Sequence, residues 1–287
     1  MNLKTLCFGM LAIIAGLFFS AASRAGDSGT VRVLNDDAGW CWFQDERAIF
    51  HGKKLIAGSV ASGTSDPSRR GNIEVSSLDT VTGDTARFVL HENLELDDHD
   101  APALLELPDG RVLAVYSKHN KDKKIRYRTT VRPGDISEWT PEETYEFGIF
   151  SHDVTYSNLF MLEAENERVY NFFRGEDFDP NLLISNDSGR NWRHVGRVIG
   201  GPGRPYVRYA SDNRDTVHFI CTEQHPRDFD NSLYHGRITN GRIYDSAGNE
   251  IGRLGRAPVK HESLTKIFRG DSDNVAWPCD VETGPGG

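Results

Sequence analysis

Three residues suited to ion binding and proton transfer recur at a regular spacing in this sequence. His119, Arg174 and His225 each follow a short apolar run, and they are separated by 55 and 51 positions. Imidazole exchanges protons near neutral pH, and guanidinium binds carboxylates through paired hydrogen bonds. The pattern predicts a site that binds a carboxylate and moves a proton. For any single residue of the set, a solvated loop position is the alternative.

Short strands must hold these residues, because runs rich in Val, Ile, Tyr and Phe alternate with turns and no long stretch has helical periodicity. The clearest hairpin joins residues 102–107 to residues 111–116 through a Pro-Asp-Gly turn. This hairpin recurs at steps of about 50 residues, and each later copy is followed by a second hairpin. The other copies are 47–50 with 55–60, 158–162 with 168–173, and 205–209 with 216–221.

A four-stranded unit that repeats at this step predicts an all-β fold, a β-propeller built of four-stranded blades. One copy contains SNDSGRNW at 185–192, an S-x-D-x-G-x-x-W turn between outer strands (an Asp-box) that is structural. In a propeller blade, the loop entering the first strand and the loop leaving the second lie at the same end of the channel. His99, Tyr156 and Arg204 precede first strands and Tyr206 lies at the start of one, so we expect them to share one face with the three residues that follow second strands.

Five segments of the chain resemble the propeller-fold ulvan lyases, a group of BNR-repeat polysaccharide lyases. They are WCWFQDERA at 40–48, DDHDAPA at 97–103, YSKH at 116–119, YNFFRG at 170–175, and HP at 225–226 with NSLYH at 231–235. The resemblance implies a seven-bladed propeller. Residues 274–282 resemble the first strand of a fifth unit, so we expect about four complete blades in a catalytic domain at 26–287 that is incomplete at its C-terminus.

The resemblance also implies a reaction. Ulvan lyases cleave a sulfated polysaccharide of rhamnose 3-sulfate and uronic acids by β-elimination at the uronic acid. His99 is the expected base or shared acid and base, and Tyr156 or Tyr206 is the expected proton-transfer partner. Tyr209 competes with Tyr206 for that assignment.

Substrate binding is assigned by the same resemblance. His119 and Arg174 are expected to bind and neutralise the uronate carboxylate, and Arg204 to contact a sulfate. The expected partner is therefore an acidic sulfated polysaccharide.

Metal binding is a separate expectation. Members of the resembled family carry a structural metal near the site, and His225 with Cys279 is the expected pair for a structural Zn²⁺, with Cys221 and His235 as further candidates. No C-x-x-C or H-x-x-x-H spacing accompanies them. The alternative is that the cysteines lie in the core and His225 is hydrogen-bonded. No organic cofactor is expected.

The N-terminal residues predict export. Lys4 precedes an apolar run at 6–19, and small residues at 20–25 suit cleavage after Ala22 or Ala25, so residues 1–25 form the predicted signal peptide. A run of about 14 residues is shorter than the ~20 that cross a bilayer, which argues against an anchor. The mature protein is expected to be secreted, extracellular or periplasmic, without membrane association after cleavage.

The composition argues against two classes of protein. A net charge of −9 argues against a nucleic-acid partner, and 4 cysteines in 287 residues cannot build a disulfide scaffold. Attraction to a polyanion must come from a local basic site. The sequence does not specify an oligomeric state.

Two alternative functions stay open from the sequence. A sialidase-like hydrolase needs an arginine triad and a Tyr-Glu pair, whereas the loops after the second strands supply Arg174 alone. A non-catalytic glycan-binding protein or an inactive short form would agree with the small number of repeats.

Overall fold

The computed structural model of the chain describes residues 31–148 and 150–284. The elements below all belong to the unit Leu34–Gly287. The regular structure of the described residues consists of twenty β-strands and five short 3-10 segments, so the predicted all-β class is confirmed. The predicted signal peptide lies outside the described residues. No helix in the described part of the chain has the length and apolar character needed to span a membrane.

Four antiparallel sheets follow one another along the chain. The first contains β1 (Ala38–Gly39), β2 (Ala48–His51), β3 (Lys54–Ala61), β4 (Ile73–Asp79) and β5 (Thr85–His91). The second contains β6 (Ala103–Glu106), β7 (Val112–Tyr116), β8 (Lys124–Arg132), β9 (Asp135–Trp139) and β10 (Glu143–Glu146). The third contains β11 (Thr155–Leu162), β12 (Arg168–Arg174), β13 (Pro180–Ser185) and β14 (Arg193–Arg197). The fourth contains β15 (Val207–Ser211), β16 (Thr216–Cys221), β17 (Leu233–Thr239), β18 (Arg242–Tyr244), β19 (Glu250–Arg253) and β20 (Thr265–Phe268).

Apolar cores fill the spaces between successive sheets. Ile73 and Leu104 are fully buried in the core between the first and second sheets. Leu113 and Leu183 are fully buried between the second and third, and a third core joins the third and fourth sheets in the same way. Since a strand covered on both faces needs apolar side chains at every position, all five residues of β7 are buried. Sheets packed face to face in chain order form the blades of a β-propeller, which confirms the predicted fold.

The turn between β13 and β14 has the hydrogen bonds that its motif predicts. The Asp187 carboxylate accepts from the backbone N–H of Asn191 at 2.9 Å. Gly189 has a φ of +79°, a conformation that glycine adopts without steric cost. The Trp192 ring meets the Tyr127 ring of the preceding sheet at 6.0 Å. The motif therefore stabilises the packing of the third sheet against the second.

The predicted first strand of a fifth unit is not formed. Residues 274–282 contain no strand, and no second strand among the described residues pairs with them. The backbone N–H of Ala276 instead donates to the carbonyl of Asn231 at 2.9 Å. The Asp280 carboxylate accepts from Arg208 at 2.8 Å. The strand prediction for this segment was wrong because a strand needs a neighbour to satisfy its backbone groups.

One loop leaves the first sheet and reaches two others. Residues 40–47, here called the crossing loop, separate β1 from β2, although both strands pair with β3. The backbone N–H of Asp45 donates to Ser157 O at 3.3 Å, and Leu159 N–H donates to Asp45 O at 2.7 Å. The buried Arg208 of β15 binds the Asp45 carboxylate at 2.6 Å. The crossing loop thereby connects the first, third and fourth sheets at the face that carries the predicted site.

Candidate active site

Two predicted site histidines are in direct contact. His99 lies in the 3-10 segment Asp98–Asp100 that leads into β6, and His119 lies just after β7. Their rings stack with centroids 4.0 Å apart and planes 15° apart. Burial lowers the pKa of His119, and although the hydrogen bond to Asp97 opposes this, the result is below the ordinary value. Because the neutral imidazole is favoured, His119 can accept hydrogen bonds and protons near neutral pH.

Tyr156 lies beside the histidine pair in a strained backbone conformation. Its φ is +69°, at a break in the register of β11 between Thr155 and Asn158. A tyrosine in this region costs about 1–3 kcal/mol and is held there by its surroundings. The ring lies 5.6 Å from the His99 ring. Burial raises the pKa of Tyr156 well above its ordinary value, so the phenol keeps its proton until a reaction partner takes it.

Arg174 is a buried cation without an ionic partner among the described residues. It is the last residue of β12, in register with Thr155, and therefore lies inside the strand and not beyond it as the repeat count predicted. The side chain is 6% exposed, and its Nη2 donates to Thr155 Oγ1 at 3.1 Å. Its guanidinium carbon lies 4.9 Å from the centroid of the Tyr156 ring. In the described part of the chain no carboxylate comes within salt-bridge distance, and Nε has no partner there. A buried charge is costly without a counter-ion, so this position suits the anionic group of a ligand.

The crossing loop brings an aromatic ring against two candidate tyrosines. The Phe43 ring lies 5.7 Å from that of Tyr156 and 4.6 Å from that of Tyr206. Tyr209 instead stacks on Phe172 at 4.4 Å within the core between the third and fourth sheets. Of the two competing tyrosines, Tyr206 has the ring contact with Phe43, whereas Tyr209 lines a small cavity from the core side.

A small cavity connects these groups. It is lined by Phe43, Tyr156, Arg174 and Tyr206, among others, and its volume is about 30 Å³. A space of this size holds a water molecule or one oxygen of a larger ligand. Apolar side chains form most of its wall, and Arg174 and the tyrosines are among its polar groups.

A larger cleft of about 550 Å³ adjoins the cavity on the side of the fourth sheet. Arg204, His225, His152 and Phe178 line it, and the Arg204 guanidinium lies 5.9 Å from the Phe178 ring. The His225 ring meets Tyr206 edge-on at 5.0 Å. Burial lowers the pKa of His225, and the charge of Arg204 adds to the shift. Arg204 and His225 therefore share one cleft that is wide enough for part of a polymer.

The predicted zinc pair is not assembled into a ligand set. In the described residues, two groups of three side chains have donor atoms within 4.8 Å of one another: Asp97 with His99 and His119, and His152 with Glu176 and Asp177. His225 and Cys279 belong to neither group. His225 Nδ1 accepts from the backbone N–H of Arg227 at 3.0 Å, and Cys279 is exposed. These contacts do not fit zinc coordination, so this metal stays a prediction and enters no step below.

The remaining cysteine and histidine candidates for zinc binding lie in surroundings that suit a structural role. Cys41, Cys221 and Cys279 are all free thiols. Burial raises the pKa of Cys41 to about 12 and that of Cys221 even further, which opposes the thiolate that zinc needs. His235 shares a hydrogen bond of 3.1 Å with His218.

Asp100 gives a pH-dependent prediction. It is completely buried, and neither carboxylate oxygen has a hydrogen-bond partner among the described residues. Burial raises the pKa of Asp100 to about 9, and the charges of Glu95 and Asp97 act in the same direction. An unfolded chain releases this proton at about pH 4, so the free energy of unfolding should fall as the pH rises from about 4 to about 9.

Asp100→Asn cannot ionise and should lose this part of the pH dependence. Its free energy of unfolding in urea, relative to the wild type, should therefore increase between pH values of about 5 and about 9. The exposed Asp98, changed to asparagine in the same way, is the control. A difference between Asp100→Asn and the wild type that stays constant across this range would contradict a neutral Asp100.

Comparisons with known proteins agree with the propeller architecture. Residues 62–275 match the family model described as BNR repeat-containing family member. No curated protein matches the chain. A PL25 ulvan lyase bound to a repeat of GlcA joined 1-4 to Rha3S has a TM-score of 0.61 and 15% identity, over 81% of this chain and 61% of that one. The polysaccharide lyase Uly1 has a TM-score of 0.56 and 10% identity, over 84% of this chain and 63% of that one. The chain thus spans less than two thirds of the length of these lyases, and the likeness shows a shared fold.

Proposed function

The chain belongs to the BNR repeat-containing family, and from this premise we propose that it is an exported polysaccharide lyase that cleaves ulvan by β-elimination at the uronic acid. The buried, unpaired Arg174 carries the proposal. A uronate carboxylate would supply the counter-ion that the described chain does not, and it would draw the sugar ring against Tyr156 and the histidine pair.

Neutralising that carboxylate is the first requirement of the reaction. The C5 proton of a uronate is weakly acidic, because its removal places negative charge on the carboxylate group. A guanidinium that pairs with both oxygens stabilises this charge in the transition state. His119 lies 6.5 Å from the Tyr156 ring and is close enough to Arg174 that their charges interact, so its ring would lie beside the same carboxylate group.

Proton transfer completes the elimination. His99 takes the C5 proton, the C5–H electron pair forms the C4–C5 double bond, and the C4–O4 bond breaks with its electrons on O4. Tyr156 gives its phenolic proton to O4, and the proton held by His99 later restores the phenol through solvent. Burial keeps Tyr156 protonated at the start of the cycle. Tyr206 is the second candidate for the donor, and its ring packs edge-on against Phe43.

The wider cleft suits a sulfated sugar next to the cleaved bond. Arg204 and His225 line it, and both can donate hydrogen bonds to sulfate oxygens. Since the whole chain has a net charge of −9, the attraction of a polyanion depends on these local groups.

The proposal is tested with the purified protein and two forms of one substrate. Ulvan should give the ultraviolet absorbance of a conjugated, unsaturated uronate, whereas ulvan with its carboxyl groups reduced to alcohols should give none. New reducing ends without this absorbance would indicate a sialidase-like or other hydrolase. Binding without either product would indicate a glycan-binding protein. Each of these two results would reject the lyase assignment.

A further inference from the structure

One carboxylate contacts both site histidines. Asp97 Oδ1 lies 2.6 Å from His99 Nδ1, and Asp97 Oδ2 lies 2.8 Å from His119 Nδ1. The carboxylate is itself held in place, because Oδ1 also accepts the backbone N–H of His99 at 3.0 Å. The two rings stack 4.0 Å apart above this shared acceptor.

An ionised carboxylate can only accept hydrogen bonds, so each ring must direct an N–H from Nδ1 toward Asp97. In a neutral imidazole, a proton on Nδ1 leaves the lone pair on Nε2. Both rings therefore present a basic Nε2 on the side away from Asp97. A histidine with the opposite tautomer would carry a proton on Nε2 and could not act as a base there.

We propose that Asp97 is a positioning residue that fixes the tautomer and orientation of His99 and His119 together. The inference rests on the proposed function, in which His99 takes the C5 proton. Asp97 would also stabilise the imidazolium that forms when His99 is protonated. A single short side chain thus prepares the base and its neighbour at once.

The adjacent Asp98 provides a matched comparison. Its Oδ1 lies 2.8 Å from His99 Nδ1, but its side chain is 53% exposed, compared with 28% for Asp97. Asp97 is bonded to both histidines, whereas Asp98 is within reach of one. Asp98→Asn removes the same charge from the same segment and leaves the carboxylate between the two rings in place.

The test combines imidazole NMR with steady-state kinetics. In the wild type with ¹⁵N-labelled histidine, both rings should carry the proton on Nδ1. In Asp97→Asn, the asparagine amide can donate to one Nδ1, which would move the proton of that ring to Nε2. The kcat on ulvan should fall about 100-fold with KM changed by less than about threefold, as expected when a tautomer is lost and binding is kept. Asp98→Asn should retain both tautomers and stay within about threefold of the wild-type kcat.

The spectra separate failure of this inference from failure of the proposed function. A wild-type protein with the proton of either ring on Nε2 would overturn the inference, and this measurement requires no variant. Unchanged tautomers in a folded Asp97→Asn would also overturn it. Histidine signals that move when a chelator is added would show that these three side chains hold a metal, which again rejects the positioning role. Tautomers that change as expected, in a protein that does not cleave ulvan, would support Asp97 and reject the lyase.

Discussion

Arg174→Met is expected to lower kcat/KM on ulvan by at least about 10³-fold, because it removes the cation that stabilises the charge developing on the uronate. The methionine keeps most of the length of the side chain. Since Arg174 has no carboxylate partner in the described chain, its removal leaves no buried charge behind. The free energy of unfolding should therefore be unchanged or increased. Loss of activity without loss of stability is the specific result expected of a ligand-binding arginine.

Arg126→Met is the matched control for this prediction. Arg126 is 7% exposed, close to the 6% of Arg174, but it pairs with Asp122 at 2.5 Å. Breaking that pair should cost about 3 kcal/mol of stability and leave the activity of the folded protein in place. The two variants should thus show opposite effects. Near-wild-type cleavage by Arg174→Met, measured by ultraviolet absorbance with ulvan, would remove this residue from the mechanism.

The sequence predicts the parts of this fold that depend on neighbouring residues. Hairpins such as 102–107 with 111–116 are recognisable because a turn and two apolar runs are adjacent in the chain, and β6 and β7 form there. The Asp-box turn is equally local, since Asp187 and Asn191 satisfy each other within five residues. Repetition of these units then predicts how successive sheets pack.

Contacts between distant residues could not be predicted in the same way. Phe43 reaches Tyr156 and Tyr206 from a loop that interrupts the first sheet, and no periodicity marks it. Only the resemblance of residues 40–48 to a known family marks its segment. Trp277 approaches the His225 ring at 6.1 Å from a segment without strand pairing. Such contacts depend on how loops pack across the face, which short patterns do not specify.

The repeats predict the positions of some of the site residues but not of others. Counting from one repeat to the next brought His99 and His119 together correctly, because both flank the same hairpin. The same count placed Arg174 outside its strand, although it pairs within β12. The sequence does not single out Asp97, since a carboxylate between two loops gains its role only when both rings are in place.

His99→Ala should lower kcat on ulvan by about 10³-fold or more, because the variant lacks the imidazole that takes the C5 proton. Added imidazole should restore part of the rate in this variant, since a small base can enter the space that the ring leaves. His51→Ala is the control. The His51 side chain is 31% exposed, close to the 27% of His99, and its Nδ1 also meets a carboxylate, that of Glu106 at 2.8 Å.

His51 ends β2, at a hairpin away from the predicted site, so its alanine variant should keep wild-type activity without any response to imidazole. Comparing the two variants distinguishes a histidine that acts as the base from a histidine that only pairs with a carboxylate. An unchanged rate in His99→Ala would exclude it as the base and leave His119, stacked 4.0 Å away, as the group to examine. A large loss without imidazole rescue would instead indicate that His99 orients the sugar and that the proton leaves by another path.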